Sequence, residues 1–162
     1  MRFIRRLLVL AALMFWQGGF VFYAGVVVPI GTEELGSARE QGRITRRVAV
    51  WLNWSGAAAL VPLGWDALLE RRNRWARRGR IVAWLVMAGG QVVLFWLYPT
   101  LDAMFDPVAM HISERSLFRR LHRTYLWTST VQWIAGVAYA AFTLWAWSAD
   151  NRGDSDAVPK HA

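Results

Sequence analysis

Residues 81–99 read IVAWLVMAGGQVVLFWLYP and carry no charged side chain. A helix needs roughly 20 mainly apolar residues to cross a hydrocarbon layer about 30 Å thick. Three further apolar stretches approach or meet that length, at about 7–30, 48–69 and 124–147. The sequence therefore predicts an all-α integral-membrane protein, an antiparallel four-helix bundle arranged as two helical hairpins.

The composition predicts a single domain. Of 162 residues, 56% are hydrophobic and 19% are charged, and the apolar residues are gathered into blocks. Such a chain is too apolar for an ordinary soluble fold. We expect residues 1–147 to form one transmembrane domain, and the small, polar residues 148–162 to form a disordered cytoplasmic tail. The absence of cysteine excludes disulfides, iron–sulfur clusters and thiolate zinc sites.

The formal net charge of +8 comes from arginines that cluster at the ends of the apolar stretches. At those positions the expected partner is a lipid bilayer with anionic headgroups. No basic segment interleaved with aromatic residues lies elsewhere, so we expect no nucleic-acid partner. Most of the 11 tryptophans fall near predicted helix ends, which is typical of an interfacial belt.

The arginines also predict an orientation, because cytoplasmic loops carry the excess of Lys and Arg. The densest basic cluster lies between the second and third apolar stretches: Arg71, Arg72, Arg74, Arg77, Arg78 and Arg80. With four crossings, a cytoplasmic position for this loop places both termini in the cytoplasm. The first apolar run continues to Pro29, beyond the length of a cleavable signal, so we expect a retained helix in a bacterial inner membrane.

Two outer connections carry arginines at helical spacing. Three fall one turn apart in each of the segments 37–47 and 113–123: Arg39, Arg43 and Arg47, then Arg115, Arg119 and Arg123. Each triplet predicts a basic stripe on a helical extension that leads into the second or the fourth span. A shift of 76 residues aligns the two segments, as in a duplicated hairpin. Chance agreement between arginine-rich segments is the alternative.

Each predicted helix contains one side-chain amide within its apolar run: Gln17, Asn53, Gln91 and Gln132. An unsatisfied polar group in hydrocarbon costs several kcal/mol, so these amides should face the bundle interior. Under one interpretation they hydrogen-bond between helices, each contributing about 0.6 to 2 kcal/mol. Under the other they line a polar cavity for a small ligand. The hydroxyl groups expected to assist there are those of Ser55, Thr128 and Ser129.

Asp66 lies well inside the second apolar stretch. A carboxylate there could relay protons or bind a cation, but an ion pair with Arg71 or Arg72 is the preferred interpretation.

The sequence contains no pattern that is diagnostic of a metal site or of an enzyme active site. Met104, Met110, His111 and His122 could surround copper or zinc, yet they lack a diagnostic spacing. No histidine lies in mid-membrane, as haem ligation in a bundle requires, and no hydrolase, HExxH or phosphate-loop motif is present. We therefore expect no cofactor, no metal and no enzyme.

The segment Phe118-Arg119-Arg120-Leu121-His122, together with a glycine-rich first helix that ends in Pro29, resembles a family of small four-helix membrane proteins. This family includes transmembrane protein 205 and many bacterial relatives. Its members carry Ser and then Asn shortly after the histidine, where this chain has Tyr125 and Thr128. The resemblance implies a polytopic membrane protein, with some members linked to resistance or export of toxic compounds.

Three functional hypotheses follow. The first is binding or transport of a small molecule or ion through the polar interior; since four helices enclose little volume, a transporter would be a homo-oligomer. The second is a scaffold that binds a partner membrane protein through a lipid-facing surface of small residues, such as 56–59. The third is a protein that handles metal or haem.

Overall fold

Helices make up almost all of the described chain. The computed structural model describes residues 2–69, 73–106, 111–112 and 114–155. The helices are α1 (Arg2–Phe22), α2 (Val28–Glu34), α3 (Ala38–Leu69), α4 (Arg74–Ala103) and α5 (Arg115–Ser155), with a π-helical turn at Tyr23–Val27 between α1 and α2. Strands β1 (Phe105–Asp106) and β2 (His111–Ile112) pair antiparallel between α4 and α5.

The π-helical turn joins α1 and α2 without a break in helical backbone, so the described chain has four long helical segments. Three of them, Phe3–Glu34, Glu40–Leu69 and Arg74–Ala103, are long and apolar enough to cross a membrane. The fourth predicted span, within α5, does not reach that hydropathy. Its run of hydroxyl and amide side chains at 128–132 lowers the mean, although the segment is helical as predicted.

Local signals in the sequence account for the helix ends. Gly36, at a φ of 66°, lies in the left-handed region that glycine adopts readily, and it closes the first segment. The Ser37 hydroxyl then accepts from the backbone N–H of Glu40 at the start of α3. At the start of α4, the Asn73 side chain accepts from the N–H groups of Trp75 and Ala76, both at 3.1 Å. These are ordinary N-terminal caps.

The two predicted helical extensions are helical. α3 begins at Ala38 and α5 at Arg115, so each arginine stripe continues into the helix that follows. α5 runs to Ser155, past the start of the tail that the sequence predicts to be disordered. The remainder of that tail, 156–162, lies outside the described residues.

Each helical segment packs against the next, and α5 also returns to α1. Close approaches occur at glycines. An added Cβ at Gly56 of α3 would come within 2.8 Å of the Trp16 indole of α1, and Gly79 of α4 lies equally close to Phe142 of α5. α3 and α5 meet through the Tyr139 hydroxyl, which donates to the carbonyl of Leu63 at 2.6 Å.

The core of the described chain is mainly apolar, but the outer surface of the segments differs from that of a soluble domain. Large apolar side chains are exposed along the segments, including Phe15, Trp51 and Trp96 at more than 70%. Several polar side chains, Asp66 and Arg80 among them, are fully or almost fully buried. In water, exposed apolar surface of this extent would promote association. Together with the three apolar segments, it fits a membrane protein.

Candidate functional site

A cavity of about 750 Å³ lies between the helical segments. It extends from mid-helix toward the end that holds Gln41, Asp102 and His122, which we call the Asp102 end. Its wall is mostly apolar, with Phe20, Leu52, Leu94, Leu101 and Leu126 among the lining residues. This volume and character are those of sites for small organic molecules.

Three of the four predicted amides form one hydrogen-bonded chain on the cavity wall. Gln132 Nε2 donates to Gln91 Oε1 at 3.0 Å and to the carbonyl of Met87 at 2.9 Å. Gln91 Nε2 donates to the carbonyl of Asn53 at 2.9 Å. The Tyr125 hydroxyl then donates to Asn53 Oδ1 at 3.0 Å. We call this set the amide chain, and it links α3, α4 and α5.

Gln17 of α1 is the fourth amide and lines the same cavity. It is half-buried, and its Nε2 donates to the carbonyl of Trp133 at 3.4 Å. It therefore lies apart from the amide chain but on the same cavity wall. Both interpretations of the amides apply, because the four residues take part in hydrogen bonds between helices and also line one cavity.

The three predicted hydroxyl residues occupy different places. Ser129 is buried in the cavity wall, and its hydroxyl donates to the carbonyl of Tyr125 at 2.9 Å. Ser55 is not among the described residues that line the cavity; its hydroxyl donates to Leu52 in its own helix. Thr128 lines a different pocket, beside Arg123 and outside the cavity.

The predicted basic stripes lie away from the cavity. The side chains of Arg43, Arg47, Arg115, Arg119 and Arg123 are exposed, and that of Arg39 is outside the described side chains. None of the described stripe residues lines the cavity.

A different arginine, Arg46, lines the cavity. Its guanidinium forms a two-point ion pair with Asp102 of α4, in which Nε faces Oδ1 and Nη2 lies 2.8 Å from Oδ2. The Tyr98 hydroxyl lies 3.1 Å from Asp102 Oδ1 and 3.2 Å from the carbonyl of Arg46. Sequence reasoning missed this group because its partners are 56 positions apart. The only signal is that Arg46 falls beside the stripe position of Arg47.

Gln41 is a second residue that the sequence analysis did not single out. It lines the cavity with 3% of its surface exposed, and neither amide atom has a hydrogen-bond partner among the described residues. It packs against Gly31 of α2, where an added Cβ would clash with it. The π-helical turn lies beside it, and the Tyr23 hydroxyl there donates to Thr45 at 2.9 Å. π-Helical turns and unpaired buried amides are both frequent at functional sites.

His122 also lines the cavity, stacked on Phe118 with ring centroids 5.7 Å apart. It precedes the predicted fourth span. Desolvation lowers its pKa below the ordinary value of 6.5, so the ring is neutral at pH 7. Of the other members of the candidate metal set, Met104 is half-buried at the end of α4, whereas Met110 and the His111 side chain lie outside the described side chains. The described residues contain no group of three His, Cys, Asp or Glu that could hold a metal ion.

Asp66 occupies the opposite end, which we call the Asp66 end. It is fully buried and forms two ion pairs, with Arg80 Nη1 at 2.8 Å and with Arg5 Nε at 3.0 Å. Arg71 and Arg72, the partners expected from the sequence, lie outside the described residues. The two observed pairs form because α1 and α4 run antiparallel to α3 and each brings an arginine to the depth of Asp66; the pairing with Arg71 or Arg72 stays a prediction.

Comparison with protein-family models, with curated proteins and with solved structures finds no match to this chain. The functional argument therefore rests on the cavity itself. Its amides can donate and accept hydrogen bonds without carrying charge. Arg46 is neutralised by Asp102 within the wall. The arrangement suits a neutral molecule with one polar part and a larger apolar part.

Proposed function

We propose that this chain is an inner-membrane protein whose four helical segments form an antiparallel bundle with both termini in the cytoplasm. Three segments have the length and hydropathy of a span. The less apolar α5 packs along α4 and returns to α1, which supports a fourth crossing. An even number of crossings also keeps the arginine-rich loop and the tail on one side.

We further propose that the cavity binds a small, neutral, amphipathic molecule. The observation that carries this proposal is that all four amides singled out within the apolar runs line one mainly apolar cavity of about 750 Å³. Polar groups are expensive in hydrocarbon, and helix packing alone does not require them to surround an open volume. An ion would need charged or multiple oxygen ligands, whereas the charges in the wall are already paired.

Transport is an extension of this proposal. The cavity is confined to the Asp102 half, and the buried ion pairs of Asp66 connect the helices at the other end. Movement across the membrane would require those ion pairs to separate. Export of toxic compounds, which the resemblance to the transmembrane protein 205 family implies for some members, would be a process of this kind.

Photolabelling tests the binding proposal. The protein in phosphatidylcholine vesicles is irradiated with a long-chain alcohol that carries a diazirine, and labelled residues are mapped by mass spectrometry. We expect labels on cavity residues such as Leu52 and Leu94. Ala49→Phe should fill the cavity and remove them, whereas Ala58→Phe, at an exposed position of the same helix, should not. Labels confined to exposed side chains in all three proteins would contradict the proposal.

The alternative is a non-transporting scaffold that binds a partner membrane protein. Of the small residues expected to form its surface, Gly56 and Ala59 are buried, Ala57 is half-buried and Ala58 is exposed. Elsewhere, Gly18, Gly25 and Gly89 are exposed, with open space where a side chain would be. If these surfaces bind a partner or a second copy, Gly89→Leu should reduce the mass of the complex extracted in mild detergent and leave photolabelling unchanged.

A further inference from the structure

A second pocket, of about 400 Å³, lies on the flank formed by α4 and α5, apart from the cavity. Its lining residues are Val86, Gly90, Arg123, Thr124, Trp127, Thr128 and Val131. None of them lines the cavity. We call this pocket the flank groove.

Helical spacing arranges the flank groove along the helix axes. Arg123, Trp127 and Val131 lie one turn apart on α5, and Val86 and Gly90 lie one turn apart on α4. The groove therefore has a charged end at Arg123 and an apolar floor between the helices. Arg123 is exposed and precedes the proposed span, while Val131 lies within it.

The hydroxyl of Thr128 is available for a ligand in this groove. Three neighbours on α5, Thr124, Ser129 and Thr130, each donate to the carbonyl four residues earlier. Thr128 makes no such bond in the part of the chain that the structure describes, and it is only half-buried. It lies five residues beyond Arg123, about 7.5 Å along the helix axis. Beside it, Trp127 is 66% exposed, as expected for an indole at headgroup level.

We propose that the flank groove binds one anionic phospholipid. Arg123 pairs with the phosphate, and the Thr128 hydroxyl, one and a half turns deeper, donates to an ester carbonyl of the glycerol backbone. One acyl chain lies over Gly90 between Val86 and Val131. The positive charge selects an anionic headgroup, and the apolar floor accounts for a lipid rather than free phosphate. This site is independent of the cavity and of any ligand bound there.

Native mass spectrometry of the full-length protein tests the headgroup contact, with phosphatidylglycerol or phosphatidylcholine of matched chains as the probe. We expect one phosphatidylglycerol to bind in preference to phosphatidylcholine. Arg123→Gln should weaken that binding roughly fivefold, the effect of one arginine at an anionic surface, and abolish the preference. Arg43→Gln, an equal charge loss at an exposed position of α3, should change neither.

A second pair of variants tests the ester contact. Thr128→Val keeps the shape and removes the hydroxyl, so both lipids should bind about twofold to tenfold more weakly. Thr130→Val is the control, because its exposed hydroxyl is already bonded to Leu126. The proposal is overturned if Arg123→Gln and Arg43→Gln act alike, or if short-chain dihexanoyl phosphatidylglycerol binds as tightly as the long-chain lipid. Circular dichroism of each variant confirms that helix content is unchanged.

Discussion

The Asp102 end and the Asp66 end of the molecule each contain an aspartate–arginine pair between α3 and α4, in opposite surroundings. The side chains of Arg46 and Asp102 are 33% and 30% exposed, and both line the cavity. Those of Asp66 and Arg80 are 0% exposed. Removing one partner of a buried ion pair lowers stability strongly, whereas removing one partner of a partly hydrated pair lowers it little. The same chemistry therefore connects the helices through a buried contact at one end and forms part of the wall of an open cavity at the other.

The two aspartates also differ in how many helical segments they contact. Asp66 receives Arg80 from α4 and Arg5 from α1, and the Tyr139 hydroxyl of α5 lies 3.5 Å away. One carboxylate thus connects all four helical segments. At the Asp102 end the corresponding pair connects α3 and α4, and the space between the segments is the cavity.

The largest effect expected is all-or-none and concerns whether the two ends lie on opposite sides of a membrane. Because the chain has no cysteine, single cysteines report position without background. Arg119→Cys and Ser148→Cys flank the predicted span of α5, and both positions are exposed. In intact spheroplasts an impermeant maleimide should label the first only, and the second after permeabilisation. Labelling of both in intact cells would mean that α5 does not cross.

The next largest effect is expected at the Asp66 end. Asp66→Asn leaves the fully buried Arg80 without a counter-ion, and removing one partner of a buried pair typically costs about 3–5 kcal/mol. Thermal unfolding in detergent should show a large fall in Tm, or the protein should fail to accumulate. The matched control is Asp102→Asn. Equal losses of stability in the two variants would remove the distinction between the ends.

An intermediate effect is expected in the amide chain between the two ends. Gln91→Leu removes its bonds to Asn53 and Gln132 and leaves buried polar atoms unpaired, at a cost of about 1–3 kcal/mol. Gln17→Leu should cost less, because Gln17 is half-buried and donates over 3.4 Å. Unfolding in denaturant compares the two. If Gln17→Leu is the more destabilising, the assignment of the chain to Asn53, Gln91 and Gln132 is wrong.

The smallest change in stability is expected at the Asp102 end. Asp102→Asn breaks a partly exposed ion pair, and such pairs contribute about 0.2–1 kcal/mol. The same variant leaves Arg46 positively charged in the cavity wall, so labelling by the neutral diazirine alcohol should decrease. In the same variant, labelling by a diazirine fatty acid should increase, because the carboxylate of the fatty acid can pair with Arg46 in place of Asp102. Unchanged labelling by both probes would show that this ion pair does not face the ligand.

The sequence alone predicts the helices and the inward position of the amides. An amide within an apolar run, such as Gln91, has few ways to be satisfied other than contact with a neighbouring helix, so its direction follows from its type. The identity of the hydrogen-bond and ion-pair partners does not follow from the sequence. Asp66 binds Arg80 and Arg5 because of the rotation and axial register of three helices, and no spacing within one helix encodes those. Gln41 and Arg46 were missed for the same reason.

The π-helical turn at Tyr23–Val27 divides the first helical segment into two parts with different helical phase. Such a turn holds one more residue than an α-helical turn, and one residue corresponds to a rotation of about 100° around the helix. The rotation of α1 about its axis brings the Trp16 indole against Gly56 of α3. The different rotation of α2 brings Gly31 against the Gln41 side chain of α3. Deletion of Ala24 would merge the two phases and turn Gly31 away from Gln41. The two parts of the segment are therefore matched to α3 separately, each through its own glycine contact.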